Sequence, residues 1–98
     1  MSAYRKRARD IAHMMAVKGL RCVAAHLSEC SGPIEADHAG RRPLGRKADD
    51  DTCIPLCQLH HRQRTDFSGV FRSWNQKMMR EFLEAAIKST RRLLAPST

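Results

Sequence analysis

The sequence predicts a small α+β domain, and three observations carry that prediction. Apolar residues recur at helical spacing near both ends: Tyr4, Ala8, Ile11 and Met15 at one, Phe71, Trp74, Met78, Phe82, Ala85 and Ala86 at the other. Between them Gly32, Pro33, Gly40, Pro43, Gly45 and Pro55 interrupt the chain too often for a long helix, leaving short strands and turns. That broken stretch also holds Cys22, Cys30, Cys53 and Cys57 together with His38, His60 and His61. A chain of 98 residues buries only about 60–65% of its unfolded surface, so an additional staple is expected.

The first element is a basic amphipathic helix over about Ser2 to Lys18, stopped near Gly19. Arg5, Lys6, Arg7 and Arg9 crowd its first turns, where cations oppose the helix macrodipole. Helix stability does not explain them; a phosphate contact and a solvated face remain as readings. Short strands are expected around Arg21–Ala25 and Ile34–His38, separated by the turn Ser31-Gly32-Pro33. Residues Gly40 to Lys47 form a basic loop. The run Cys53-Ile-Pro-Leu-Cys57 reads as extended, with a short helix beginning near Gln58. Ser68 and Gly69 separate it from a long C-terminal helix, in which Trp74, Met78 and Phe82 are read as core. The chain is thus one domain in three zones: residues 1–19, 20–67, and 68–98 with the C-terminal helix and tail.

The formal charge is +8, and thirteen of the eighteen basic residues are Arg. The guanidinium fork matches phosphate oxygens in a bidentate way, so the excess favours a nucleic-acid partner, although a basic surface alone is consistent with mere solubility. No apolar run is long enough to span a membrane. The basic N-terminus is followed by no apolar leader, which predicts a cytoplasmic chain with reduced, metal-bound cysteines rather than disulfides.

Tetrahedral zinc sites are usually built from two knuckles. Cys57 and His60 have the spacing of one. Cys22 and Cys30 would supply the other if Ala24 to Glu29 loops out and returns Cys30 beside Cys22. Cys53 either replaces one of these ligands or is a small buried apolar residue.

A second ion is expected nearby. An Asp37 carboxylate and a His61 imidazole leave coordination positions open, which suits Mg²⁺ or Mn²⁺ and a phosphate ligand. Consecutive helical residues diverge by about 100°, so His60 can face zinc while His61 faces away. Asp37 and His38, on one strand, point to opposite faces unless Ala39-Gly40 bends the chain. His38, left unligated, is available to take a proton from water.

These residues resemble the HNH, or ββα-metal, endonuclease superfamily, and most nearly the phage recombination-enhancement nucleases and related prophage HNH proteins. The resemblance rests on Gly45-Arg-Lys-Ala-Asp-Asp50, then Ile54-Pro-Leu-Cys-Gln-Leu-His-His61, with Asp37-His38 upstream, and covers about Cys22 to Asp66. It implies a β-hairpin and a helix clasping one divalent ion, with His38 as general base and Asp37 and His61 as metal ligands. The family's middle Asn is absent. Asp50 is the substitute for orienting the base or binding metal, with Asp49, Asp51 and Thr52 as alternatives; Asp66 is a third ligand or a cap.

The resemblance further implies hydrolysis of DNA phosphodiester bonds to 5′-phosphate and 3′-hydroxyl ends, with Arg46, Lys47, Arg62 and Arg64 holding the backbone. It implies phage or prophage origin, a bacterial host cytoplasm, and a homodimer or a recombination or packaging protein as further partner. Two other classes compete: a non-catalytic zinc-knuckle module that binds nucleic acid, and a phage assembly protein that docks through its C-terminal helix.

Overall fold

A computed structural model describes residues 9–41 and 48–96. The elements are α1 (Ile11–Val17), β1 (Ile34–His38), a 3₁₀ turn (Asp50–Thr52), β2 (Cys53–Cys57), α2 (Gln58–Asp66), a second 3₁₀ turn (Gly69–Phe71) and α3 (Gln76–Leu94). The architecture is a small α+β fold in which helices cover a two-stranded antiparallel sheet.

The two strands pair from Ile34 opposite Cys57 to His38 opposite Cys53. Every residue of β2 is buried, so the strand is covered on both faces. Pro55 at its centre lacks a donor, yet its carbonyl accepts from Val23 N–H at 2.9 Å. That bond is what remains of the strand expected over Arg21–Ala25. The segment instead turns on itself, with Ala25 N–H donating to Cys22 O and Leu27 N–H to Ala24 O. A pleated strand cannot double back within eight residues to bring Cys30 beside Cys22, and a turn can.

Helix α1 is shorter than the sequence reading within the described residues. Asp10 has non-helical backbone angles and caps the helix, its side chain accepting from His13 N–H. Residues 1–8, which include Tyr4, Ala8 and most of the basic cluster, lie outside the described residues. The expected apolar face is also corrected: Ile11 and Met15 are each 62% exposed, and Val17 is the buried residue.

Helix α2 starts at Cys57, whose sulfur accepts from His60 N–H, and ends at Phe67 in the left-handed region. Gly69 also has positive φ, a backbone conformation that favours glycine, and a Cβ there would displace the end of the Gln63 side chain. The long helix then begins at Gln76, capped by the Asn75 side chain on Met78 N–H.

Of the expected stripe, Phe71 and Ala86 are buried and Trp74 and Phe82 pack against the core, whereas Met78 and Ala85 face outward. Met78 is 44% exposed and Ala85 is exposed; the buried face is Met79, Leu83, Ala86, Ile87 and Thr90. Phe71 and Trp74 precede the helix, and with Phe82 they form an edge-to-face cluster with ring centroids 4.8–5.7 Å apart. Ile54, Leu56, Phe71, Met79, Leu83 and Ile87 lie together in the core. Among the described residues no helix is long and apolar enough to cross a membrane.

Candidate active site and metal centre

The turn over residues 23–27 and the first turn of α2 bring Cys22, Cys30, Cys57 and His60 together, with their donor atoms all within 4.8 Å of one another. His60 Nδ1 lies 3.2 Å from Cys57 Sγ, 3.4 Å from Cys22 Sγ and 3.8 Å from Cys30 Sγ. Donors bound at about 2.0–2.3 Å in a tetrahedron stand apart by this sort of distance. The group can therefore hold a metal ion, and its three sulfurs and one imidazole suit zinc.

Its surroundings agree. Burial pulls the His60 imidazole below its ordinary pKa, favouring the neutral form that ligates. Ser28 Oγ lies 2.7 Å from His60 Nε2 and fixes the ring from behind. Without metal, two of the thiols are driven apart in acidity: desolvation, followed by thiol hydrogen bonds with Cys22 and Cys57, pushes Cys30 up to about 12, whereas at Cys57 desolvation is outweighed by hydrogen bonds from the His60 and Ser31 amides and from the Cys30 and Cys22 thiols, which pull the thiol below its ordinary value. Cys53 is buried in β2 outside this group, and His26 is exposed outside it.

Apart from this group lies a cleft of about 490 Å³. Asp37, His38, His61, Arg64 and Arg80 all contribute to its wall. Asp37 and His38 thus share one cleft although they are strand neighbours. His38 is the last residue of β1, and buried Ala39 and Gly40 follow it closely against Thr52.

Helix α2 delivers His60 to the sulfurs and His61 to the cleft from consecutive positions. His61 Nδ1 lies 2.8 Å from Glu35 Oε1, and its Nε2 lies 3.6 Å from Asp37 Oδ1. Asp37 is 4% exposed, and its Oδ2 has no hydrogen-bond partner. Arg64 Nε stands 3.1 Å from that oxygen as an ion pair, but not at a hydrogen-bonding angle, so it too stays buried without a hydrogen bond.

His38 is held from the opposite side by Asp50, with Nε2 2.9 Å from Oδ1. Asp50 is fully buried, and its Oδ2 accepts from Arg9 Nε and from Asp10 N–H, each at 2.9 Å. Desolvation alone would raise the Asp50 carboxyl. The hydrogen bonds with His38, Asp10 and Arg9 outweigh it and hold the group well below the usual carboxylate range.

Of the alternatives to Asp50, Asp51 pairs with Arg91 at 3.4 Å and Thr52 Oγ donates to Asp49 O. Arg62 and Asp66 are exposed and lie with Glu35 and His61 on a shallower cleft of about 330 Å³. Arg46 and Lys47 lie outside the described residues. Glu35, Arg9 and Arg80 complete the arrangement. Glu35 is signalled by strand alternation, which puts it on the same face as Asp37; Arg9, which the sequence offers only as a phosphate contact or a solvated residue, is the partner of Asp50, and Arg80 has no local signal.

No family model, curated protein or solved structure matches the chain.

Proposed function

We propose that this protein is a metal-dependent endonuclease of the HNH type that hydrolyses DNA phosphodiester bonds. The observation that carries this reading is the relation of His61 to two carboxylates. A carboxylate can only accept, so Glu35 fixes the hydrogen of a neutral His61 on Nδ1. The Nε2 lone pair then faces the Asp37 carboxylate across 3.6 Å. Two acceptors so placed repel unless a proton or a metal cation lies between them. The unsatisfied Asp37 Oδ2 beside them adds a further donor for that cation. A hard carboxylate with an imidazole backed by a second carboxylate suits Mg²⁺ or Mn²⁺.

When bound there, the ion supplies Lewis-acid polarisation of the phosphate and charge stabilisation of the departing 3′ oxygen. The chain supplies the rest. Asp50 holds His38 Nε2–H, which leaves Nδ1 as the acceptor for a proton from the attacking water. The ionised Asp50 then favours the imidazolium that results, as a buried acid does for a catalytic histidine elsewhere. Arg64, on the cleft wall, offers its guanidinium to a backbone phosphate. The Cys₃His group carries the structural zinc that fixes the start of α2, and with it His61.

A second reading, a zinc-centred module that binds nucleic acid without cutting it, is favoured by the Arg64–Asp37 pair, which already neutralises the cleft carboxylate. One experiment separates the two. Zinc-loaded protein is incubated with supercoiled plasmid in Mg²⁺, Mn²⁺ or EDTA, beside a folded His38→Ala variant. Nicking that needs the divalent ion and disappears in the variant is the expected result. A plasmid shifted on a gel but uncut in every metal would decide for the binding module.

A further inference from the structure

Arg80 stands where two clefts meet. It lines the central cleft beside Asp37 and His61, and it also lines a second cleft of about 260 Å³ with Arg41, Thr52, Glu84, Lys88 and Arg91. On α3, residues 80, 84, 88 and 91 follow at spacings of four, four and three, so they form one face of the helix. That face leads directly away from the candidate active site.

The second cleft is rich in cations and short of acceptors. Arg41, Arg80, Lys88 and Arg91 line it against the single carboxylate of Glu84. Glu84 is shared, with Oε1 3.5 Å from Arg41 Nη2 and 3.6 Å from Arg80 Nε. Arg80 is anchored by donating through Nη2 to the Ala39 carbonyl, while its Nε is buried with no hydrogen-bond partner. Burial pulls its guanidinium below the ordinary value; Glu84 offsets part of this, and the charges of Arg41 and Arg64 add to it. Arg91 is held in place by Asp51, donating from Nε to the Asp51 carbonyl at 3.0 Å and pairing with its carboxylate at 3.4 Å. Four cations, two of them anchored guanidinium groups, set against the carboxylates of Glu84 and Asp51 form the electrostatic footprint of an oxyanion site.

We infer that the α3 groove formed by Arg41, Arg80, Lys88 and Arg91 is a phosphate subsite, which holds the DNA backbone beside the phosphodiester that is cut. This rests on the nuclease reading above. Arg80 belongs to both clefts and positions one phosphate relative to the next, while Lys88 and Arg91 extend the track. Such contacts set affinity and register and carry no base identity.

The test uses the full chain carrying His38→Ala, loaded with zinc, and a fluorescent duplex of about 20 base pairs, over roughly 50 to 200 mM salt. Anisotropy compares this parent with Arg41→Gln/Lys88→Gln, two exposed positions, and with Lys18→Gln/Arg21→Gln, exposed outside the groove. Circular dichroism and zinc content establish that all three are folded. Removal of two phosphate contacts is expected to lower the salt slope by about 2 and affinity about tenfold, with the Lys18/Arg21 pair unchanged. Equal affinity and slope in parent and groove variant would overturn the subsite. If wild-type protein still nicks plasmid in that case, only the groove assignment falls. If wild-type protein neither nicks plasmid nor binds the duplex, the nuclease reading falls and takes the groove with it.

Discussion

His38 Nε2 and Asp50 Oδ1 stand 2.9 Å apart across the gap between the end of β1 and the turn before β2. Asp50 is itself fixed by Arg9 and the Asp10 amide, both from the start of α1. One buried carboxylate therefore joins three segments that are distant in sequence.

Asp50→Asn should lower stability by about 2 kcal/mol, because a buried, charge-assisted network loses its acceptor. The pH dependence follows from the sign of the shift. The folded-state pKa is depressed below the ordinary 3.8, so the stabilisation is complete above that value and is lost only as pH falls through the folded value. Urea unfolding of both chains at about pH 7 and pH 5 should show a difference that does not shrink on acidification. A difference that shrinks between about pH 7 and pH 5 would mean that Asp50 is not held ionised.

Cys57→Ser should abolish stoichiometric zinc and leave a chain with little cooperative unfolding, since binding energy at such a site is folding energy. Cys53→Ser should retain the ion. Elemental analysis beside thermal melts measures both, and zinc lost from the Cys53 variant would place the ligand set wrongly.

Glu35→Ala should weaken divalent-ion binding about 10- to 100-fold without loss of fold, the usual cost of removing the carboxylate behind a ligating histidine. Titration of Mn²⁺ by electron paramagnetic resonance reads this without relying on cleavage. Unaltered affinity would separate Glu35 from the cation altogether.

Leu83→Ala should cost about 2–5 kcal/mol and Met78→Ala under about 1 kcal/mol, because only the former opens the core. Comparable losses at the two positions would contradict the buried face of α3.

The Cys₃His group that can hold a metal ion is legible because soft residue types and the Cys57–His60 spacing are chemical signals that survive any local geometry. Ile34–His38 and the extended run Cys53–Cys57 are both readable, but the strand expected over Arg21–Ala25 is a turn whose Val23 N–H uses the Pro55 carbonyl. On α3 the stripe is readable at Phe82 and Ala86 and misses at Met78 and Ala85, because Phe71 and Trp74 precede the helix, which Asn75 caps after them. Glu35 could have been found by counting two back from Asp37. The Arg9–Asp50 and Arg80–Ala39 bonds span 41 residues each, and no periodic pattern encodes such meetings.

His60 and His61 occupy successive positions in the first turn of α2, one among the sulfurs and the other in the cleft. Under the proposed function, a chelator would act at two places with two meanings. Removal of a loosely held ion from the cleft would stop the proposed reaction and be reversed at once by fresh Mg²⁺. Loss of zinc from the Cys₃His group would release the turn that aims His61, and Mg²⁺ alone would not restore it. The order in which the two metals are returned thus distinguishes a protein that lacks its reagent from one that has lost its shape.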